Sequence, residues 1–249
     1  SFGLGNTEQQ RVRQLIQNSA SRFCLDVAHG SQQQVIDQVT WFKTEFPNAY
    51  LIVGCFGSDS SLITFINKSK KMPNAIRAGL GNGSACDTRG MTGVGYPQFS
   101  LIQNLSGICK KYGLHLIADG GMIREGDTAK ALGAGAHAVM SGRFFAGTDE
   151  CPGGIIQQGD KKYKTYRGSA SIESYQDQGK VADWRAAEGE AFLVTHKGPV
   201  KNVLQNIEGG LRSAFTYVGA NTLNEFHEKC HFTQITNAGI IESGVHGKE

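Results

Sequence analysis

The sequence has no apolar run that approaches the roughly 20 residues of a membrane-spanning helix, and no secretory leader pattern is visible at its start. The formal net charge is only +3 at pH 7, and the basic residues are scattered instead of forming the stripe typical of nucleic-acid binders. We therefore expect neither a membrane nor a nucleic acid as partner. Because the chain starts with Ser-Phe and not with Met, we also expect its natural beginning to be missing.

None of the six cysteines forms a Cys-x-x-Cys pair, which argues against a zinc site. A chain of this length does not need disulfide bonds for stability, so we expect a reducing, cytoplasmic compartment. Cys24 and Cys55 lie within apolar runs and are predicted to be small, buried hydrophobic residues.

The chain does contain a repeated alternation of short apolar runs and longer amphipathic segments. Its 249 residues, 33 of them glycine, match the roughly 250 residues of a single (β/α)8 barrel. Strands are predicted at 22–28, 50–55, 75–80, 114–118 and 136–141, with a weaker one at 1–4. Helices are predicted at 8–19, 32–46, 60–68, 99–111 and 127–132. Repeated βα units indicate a parallel sheet with functional residues on the loops after the strands.

The pattern changes after residue 142, where only six of the eight strands of a closed barrel have been counted. Residues 147–167 are predicted to form a hairpin, the polar segment 172–189 a mobile flap, and residues 200–219 a helix. The C-terminal end is expected to fray. A closed barrel therefore needs two strands that this sequence does not obviously supply.

A glycine-rich segment at 79–95 follows one predicted strand and carries a cysteine. Alternating glycines let the backbone approach a ligand closely, and Ser84 can donate to a phosphate oxygen. Cys86 stands on this loop near Arg89, a setting that can lower a thiol pKa and produce a nucleophile. The alternative interpretation is a glycine-rich turn with an incidental cysteine.

Two further strand ends carry residues suited to a nucleotide. Asp119 can accept two ribose hydroxyls, while Gly120 and Gly121 can present free N–H groups to an anion at a helix N-terminus; the alternative is a simple capping turn. Arg143, which follows Gly142, either adds charge to a phosphate site or is a solvated surface arginine.

The strand end at 26–30, Asp-Val-Ala-His-Gly, is a candidate cofactor site. Asp26 can bind a cofactor hydroxyl, and His29 is more often structural or substrate-orienting than catalytic. Glu188 is a general acid or base if the predicted flap folds over the site, whereas its spacing alone favours a solvated glutamate.

These motifs resemble the active-site segments of the IMP dehydrogenase/GMP reductase family. The resemblance rests first on residues 81–89, Gly-Asn-Gly-Ser-Ala-Cys-Asp-Thr-Arg, and residues 92–98, Thr-Gly-Val-Gly-Tyr-Pro-Gln. Further motifs follow in the family's order, at 117–121, 126–132, 139–142, 166–171, 196–198, 209–213 and 217–220.

The resemblance implies an α/β fold, the (β/α)8 TIM barrel, here lacking its first two strands and a lysine-bearing loop near the cofactor. We expect one domain over 1–249, with a flap at 154–198 and a C-terminal helix and tail at 199–249. The family is usually tetrameric, and its cysteine attacks C2 of a purine nucleoside monophosphate. Dehydrogenases pass hydride from IMP to NAD and then form XMP, whereas reductases expel ammonia from GMP and take hydride from NADPH to give IMP.

Three segments resemble the reductase branch. Residues 26–30 match its strand end, residues 172–189 lack the Arg-Tyr pair with which dehydrogenases activate water, and residues 184–189 resemble the segment that carries its catalytic glutamate. A GMP reductase is therefore predicted. An IMP dehydrogenase and a non-catalytic nucleotide-binding relative remain the alternatives.

The resemblance also implies a role for individual residues. Cys86 would be the nucleophile, and Thr88 with Glu188 would handle the proton on departing ammonia. The nucleotide GMP or IMP would contact Ser84, Asp119, Gly120, Gly121, Gly142, Arg143, Ser169 and Arg185. NADPH would contact Asp26, Ala28 and His29, and a potassium ion would bind the carbonyls of Gly81, Gly83 and Cys86.

Three residues depart from the family pattern. Asn82 replaces a usual proline, which is expected to loosen the loop. Asp87 replaces a usual threonine, and its carboxylate is expected to raise the pKa of the neighbouring thiol. Arg143 stands where a small residue is usual, and it either reinforces the phosphate site or blocks it.

Overall fold

The main body of the molecule is a parallel sheet flanked by helices. A computed structural model describes residues 1–177, 179 and 187–244. Five strands pair in the order β1-β2-β3-β4-β5. They are β1 Arg22–Asp26, β2 Tyr50–Phe56, β3 Ala75–Ala78, β4 His115–Asp119 and β5 Ala138–Met140. The helices of this part are α1 Asn6–Gln17, α2 Gln33–Glu45, α3 Asp59–Lys68, α4 Thr88–Thr92, α5 Gln98–Tyr112, α6 Glu125–Gly133 and α7 Gly142–Phe145.

The predicted alternation of strands and helices is confirmed, with one change at the weak first strand. Residues 1–4 form only a bridge, in which the Phe2 N–H donates to the Cys24 carbonyl at 2.9 Å and the Asp26 N–H donates to the Phe2 carbonyl at 3.0 Å. The result is a partial (β/α) barrel, as the sequence predicted.

A hydrophobic core between the sheet and the helices holds the strand ends in place. Strand residues Leu25, Val53, Ile76 and Leu116 are fully buried there. Phe42 of α2 stacks with Phe2 and meets Phe23 and Phe46 edge-on, with ring centroids 5.3–5.7 Å apart. Because packing in such cores is close to that of organic crystals, small residues after the strands are held in defined positions.

The cysteine prediction is only partly correct. Cys24 and Cys55 are half-buried, whereas Cys109 of α5 is the fully buried one. The Cys55 thiol donates to the Gly79 carbonyl, and burial raises its pKa to about 11.

A second, antiparallel sheet follows the parallel one, in the order β6-β7-β8. Its strands are β6 Ile156–Gln158, β7 Lys161–Arg167 and β8 Ala191–Thr195, and α8 Ile172–Asp177 lies between the last two. The first two form the predicted hairpin. Lys164 anchors this sheet: its buried Nζ donates to the carbonyls of Thr148, Asp149 and Cys151 at 3.0, 3.2 and 2.6 Å.

Three helices complete the described part of the chain, namely α9 Val200–Val218, α10 Leu223–Lys229 and α11 Asn237–Glu242. Helix α9 confirms the predicted helix at 200–219 and packs against α6. Phe215 of α9 stacks on Phe226 of α10 with centroids 4.2 Å apart. Among the described residues, no helix is both long and apolar enough to span a bilayer.

Candidate active site

A cavity of about 640 Å³ opens at the carboxyl ends of the parallel strands. In a (β/α) barrel this edge is where active sites are built, because several strand ends and their loops converge there. The lining comes from the ends of β1 to β4, the loop after β5, and the segment that follows β7.

A hydrogen-bonded line of three side chains stands in this cavity. The Cys86 thiol donates to Thr88 Oγ1 at 3.2 Å, and the Thr88 hydroxyl donates to Glu188 Oε2 at 2.8 Å. Cys86 is exposed to the cavity, while Thr88 and Glu188 are half-buried. A nucleophile, a hydroxyl and a carboxylate in series can move a proton between a reacting group and the carboxylate.

Main-chain bonds bring Glu188 to the cysteine loop across about a hundred residues of sequence. The Asp87 N–H donates to the Glu188 carbonyl at 2.7 Å, and the Glu190 N–H donates to the Ala85 carbonyl at 3.0 Å. Gly168 allows this approach, because a Cβ there would lie 2.7 Å from the Ala85 carbonyl oxygen. The expectation that this part of the flap folds over the site agrees with these contacts.

The loop before Cys86 is more tightly held than the sequence suggested. Asn82 was expected to loosen it, but Asn82 Nδ2 donates to the Asp119 carbonyl at 2.7 Å and so ties the loop to the end of β4. The Arg89 guanidinium donates to the carbonyls of Tyr96 at 2.5 Å and Leu80 at 3.3 Å, and its effect on the thiol stays a prediction. The Asp87 carboxylate lies beside Gly90 in α4.

Two carboxylates and one guanidinium occupy the floor of the cavity. Arg77 of β3 forms an ion pair with Asp26 of β1, and its Nη1 lies 3.3 Å from Asp119 Oδ2 at the end of β4. Burial raises the pKa of Asp119, the Arg77 charge opposes that rise, and the Asp26 charge adds to it.

The loops after β4 and β5 form the end of the cavity where a phosphate was predicted. Gly120 and Gly121 have φ angles of +77° and +82°, a backbone conformation that favours glycine. The Gly120 N–H was predicted to be free for an anion, but it donates to the Met140 carbonyl at the end of β5 at 2.9 Å. A Cβ at Gly142 would lie 2.9 Å from Tyr166 Oη, so the absence of a side chain there makes room for the tyrosine. Burial raises the pKa of Tyr166.

Most of the predicted site residues lie in this cavity. The described lining includes Asp26, Ala28, Gly81, Gly83, Ser84, Cys86, Thr88, Asp119, Gly120, Gly121, Gly142, Arg143, Ser169 and Glu188. His29 is not among them; it is exposed, and its Nε2 lies 2.8 Å from Ser31 Oγ. Arg185 lies outside the described residues. The roles given to all these residues stay predictions.

Arg143 lines the cavity from the loop after β5. Its guanidinium carbon lies 6.0 Å from the ring centroid of Phe192, so the side chain packs against Phe192 of β8 and is not fully solvated. The Lys197 ammonium donates to the Arg143 carbonyl at 3.0 Å, which fixes the backbone at this position.

Sequence reasoning gave no site role to several residues of the lining, among them Cys55, Arg77 and Tyr166. Arg77 had a signal, because a charge inside the apolar strand Ala75–Ala78 needs a buried partner. Tyr166 opened the motif at 166–171, but no spacing in the sequence linked it to Gly142.

The described part of the chain shows no metal site built from side chains. Within residues 1–177, 179 and 187–244, no group of three or more His, Cys, Asp or Glu side chains is arranged to hold a metal ion. The predicted potassium site uses main-chain carbonyls instead. The Gly83 carbonyl accepts the Cys86 N–H at 3.0 Å and keeps a second lone pair.

Comparison with known proteins agrees with this geometry. The model of the IMP dehydrogenase/GMP reductase domain matches residues 1–246. Inosine-5'-monophosphate dehydrogenase of Streptococcus pyogenes is 36% identical over 256 residues, which cover 99% of this chain and 51% of that protein. The corresponding enzyme of Aquifex aeolicus is 36% identical over 253 residues, with the same shares covered.

A solved structure is also similar. GMP reductase from Trypanosoma brucei, in complex with guanosine 5'-monophosphate, superposes with a TM-score of 0.93 and 32% identity over 100% of this chain and 52% of that one. The chain thus spans about half the length of the relatives that it matches. The family match over nearly the whole chain, together with the cysteine loop at the strand ends, shows that this chain belongs to the IMP dehydrogenase/GMP reductase family.

Proposed function

We propose that this chain carries the active site of a GMP reductase, which converts GMP to IMP and ammonia with NADPH through a covalent adduct of Cys86 at purine C2. The line from Cys86 through Thr88 to Glu188 is the observation on which the proposal rests. Because each thiol or hydroxyl in the line donates toward the carboxylate, Glu188 can take the proton of Cys86 and later return it to the departing ammonia.

The proposed reaction begins when Glu188 takes the Cys86 thiol proton through Thr88 and the sulfur attacks C2 of GMP. The C–S bond forms as the C2–N3 double bond opens and places its electron pair on N3. The C–N bond to the exocyclic amino group then breaks, and ammonia leaves. An amine is a poor leaving group until it is protonated, so Thr88 and Glu188 deliver a proton to that nitrogen. NADPH, when bound, supplies a hydride to C2. The C–S bond breaks with its electron pair returning to Cys86, and IMP is released.

The rest of the cavity fits a nucleoside monophosphate. Asp119 would accept the ribose hydroxyls, the N–H groups at Gly121 and Gly142 would face the phosphate, and Arg143 would add a positive charge. Ser169 and Glu188 would contact the base.

A nicotinamide cofactor fits beside the nucleotide. Asp26 and Ala28 line the same cavity as Cys86, and about half of the Asp26 side chain is exposed and free to accept a hydroxyl. The preference for NADPH over NADH, a potassium ion at the carbonyls of Gly81, Gly83 and Cys86, a homotetramer and a cytoplasmic location are parts of the same proposal and follow from the family resemblance.

A second candidate is IMP dehydrogenase, because the relatives at 35–36% identity carry that name. The sequence between 172 and 189 favours the reductase, since it lacks the Arg-Tyr pair expected for water activation. A non-catalytic nucleotide-binding relative is the third.

Absorbance of the reduced cofactor separates the three. The protein is incubated with GMP and NADPH, and separately with IMP and NAD. Loss of NADPH with GMP alone supports the reductase, gain of NADH with IMP alone supports the dehydrogenase, and silence in both with nucleotide still bound supports the non-catalytic relative. Full turnover by a Cys86→Ala variant would contradict the covalent mechanism.

A further inference from the structure

The guanidinium of Arg77 is shared by two carboxylates that belong to different parts of the cavity. Arg77 Nη2 pairs with Asp26 Oδ1 and Nη1 with Asp119 Oδ2 at 3.3 Å. The Arg77 side chain is 12% exposed, whereas those of Asp26 and Asp119 are 51% and 28% exposed. The cation is therefore hidden beneath two anions that face the cavity.

The backbone of β2 is adapted to this arrangement. Strand β2 lies between β1 and β3, so Arg77 must cross it to reach Asp26. Gly54 of β2 leaves the space, because a Cβ there would lie 2.5 Å from Arg77 Cβ. The guanidinium also lies 3.4 Å from the Gly54 carbonyl, and its buried Nε has no partner in the described part of the chain. The two carboxylates are thus its main partners.

We infer that Arg77 is a positioning residue that holds the Asp26 and Asp119 carboxylates side by side, so that the nucleotide and cofactor halves of the site depend on one buried cation. This inference rests on the proposed function, in which Asp119 binds the ribose of GMP and Asp26 binds the cofactor. Arg77 itself was given no contact with GMP or with the cofactor in the proposed function.

The reason is electrostatic. An ionised carboxylate accepts hydrogen bonds from two ribose hydroxyls, whereas a protonated carboxyl group turns one oxygen into a donor and loses the charge that strengthens these bonds. Burial raises the pKa of Asp119, and the nearby Asp26 raises it further, while Arg77 is the charge that lowers it. Without Arg77, two like charges would face each other in a partly buried site, and Asp119 would take up its proton at higher pH.

The other groups around these carboxylates cannot replace the cation. Burial raises the pKa of Cys24 on β1, of Cys55 on β2 and of Tyr166 on β7, so all three favour their neutral forms. Arg143 also lines the cavity and opposes the rise in the Tyr166 pKa, but it forms no ion pair with either carboxylate in the described part of the chain. Arg77 is therefore the cation paired with both carboxylates among the described residues.

Calorimetric binding of GMP at about pH 5.5 and about pH 8 tests this inference without turnover. Compared with the parent, Arg77→Gln should bind GMP about 10-fold more weakly at the lower pH and nearly normally at the higher one, because hydrogen bonds to a charged acceptor are worth about 1 kcal/mol more than those to a neutral one. Arg77→Lys, which keeps a cation, should restore most of the affinity. Adding Asp26→Asn to Arg77→Gln should also restore binding at the lower pH, because the repelling charge is gone.

The pH profile separates positioning from a simple loss of structure. An Arg77→Gln variant that is weakened equally at both pH values, or that Asp26→Asn fails to rescue, overturns the inference. An Arg77→Gln variant that binds GMP as the parent does at both pH values also overturns the inference. A parent protein that binds neither GMP nor IMP overturns the proposed function, and this inference with it.

Discussion

Replacing Glu188 by glutamine tests the proton relay with little change in shape. Glutamine keeps an oxygen that can accept the Thr88 hydroxyl, which lies 2.8 Å from Glu188 Oε2, but it cannot carry the proton. A positioned general acid contributes about 10²–10⁴-fold to rate. Since each tenfold corresponds to about 1.36 kcal/mol, Glu188→Gln should raise the barrier to ammonia loss by about 2.7–5.4 kcal/mol.

The assay follows NADPH absorbance and ammonia release with saturating GMP, so that a change in binding does not mask the change in kcat. Glu190→Gln is the matched control. It removes the same charge two residues away, and Glu190 contacts the cysteine loop only through its backbone N–H, which donates to Ala85. Its kcat should stay within about threefold of the parent, because an exposed charge contributes little.

Two results would refute this reasoning. One is a Glu188→Gln variant whose kcat stays within about threefold of the parent, because a relay that ends on the carboxylate would then be unnecessary. The other is an equal loss in both variants, because the effect would then come from removing any negative charge near the loop.

Three further predictions concern stability. Lys164→Met should lower the free energy of unfolding by urea by about 1–3 kcal/mol, because carbonyls of the loop at 148–151 lose their buried donor. Burial, together with His115 and His227, lowers the pKa of His137, so the unfolded chain binds more protons than the folded one, and stability should fall as pH drops below about 6.5. His137→Gln should flatten this slope in thermal melts. Gly30→Ala should cost about 1–3 kcal/mol in urea unfolding, because its Cβ would lie 2.5 Å from the buried ring of Phe56.

Each stability prediction has a matched control. Lys161→Met on the same strand removes an exposed lysine and should be nearly neutral. His231→Gln, at an exposed histidine, should leave the acid slope in place. Gly3→Ala meets no atom closer than 3.8 Å and should cost less than Gly30→Ala. A control as damaging as its partner, or a His137→Gln protein with the parent's pH slope, would contradict the corresponding argument.

The sequence by itself determined the parallel sheet and the cysteine loop. Apolar runs at 22–28, 50–55, 75–80 and 114–118 became strands within two residues of the predicted bounds, because a strand buried on both faces must be continuously apolar. Cys86 could also be singled out, since glycines on both sides of a cysteine after a strand are a local feature of the chain.

Tertiary structure decided which distant side chains meet. Thr88 and Glu188 are adjacent only because β8 and the residues before it fold back onto the loop of Cys86. Arg77 reaches Asp26 and Asp119 because parallel strands place their ends at one edge, and Gly54 lets the side chain cross between them. Strand periodicity predicts which face a residue takes, but strand order and the space between strands set its partners, and these are properties of the folded chain.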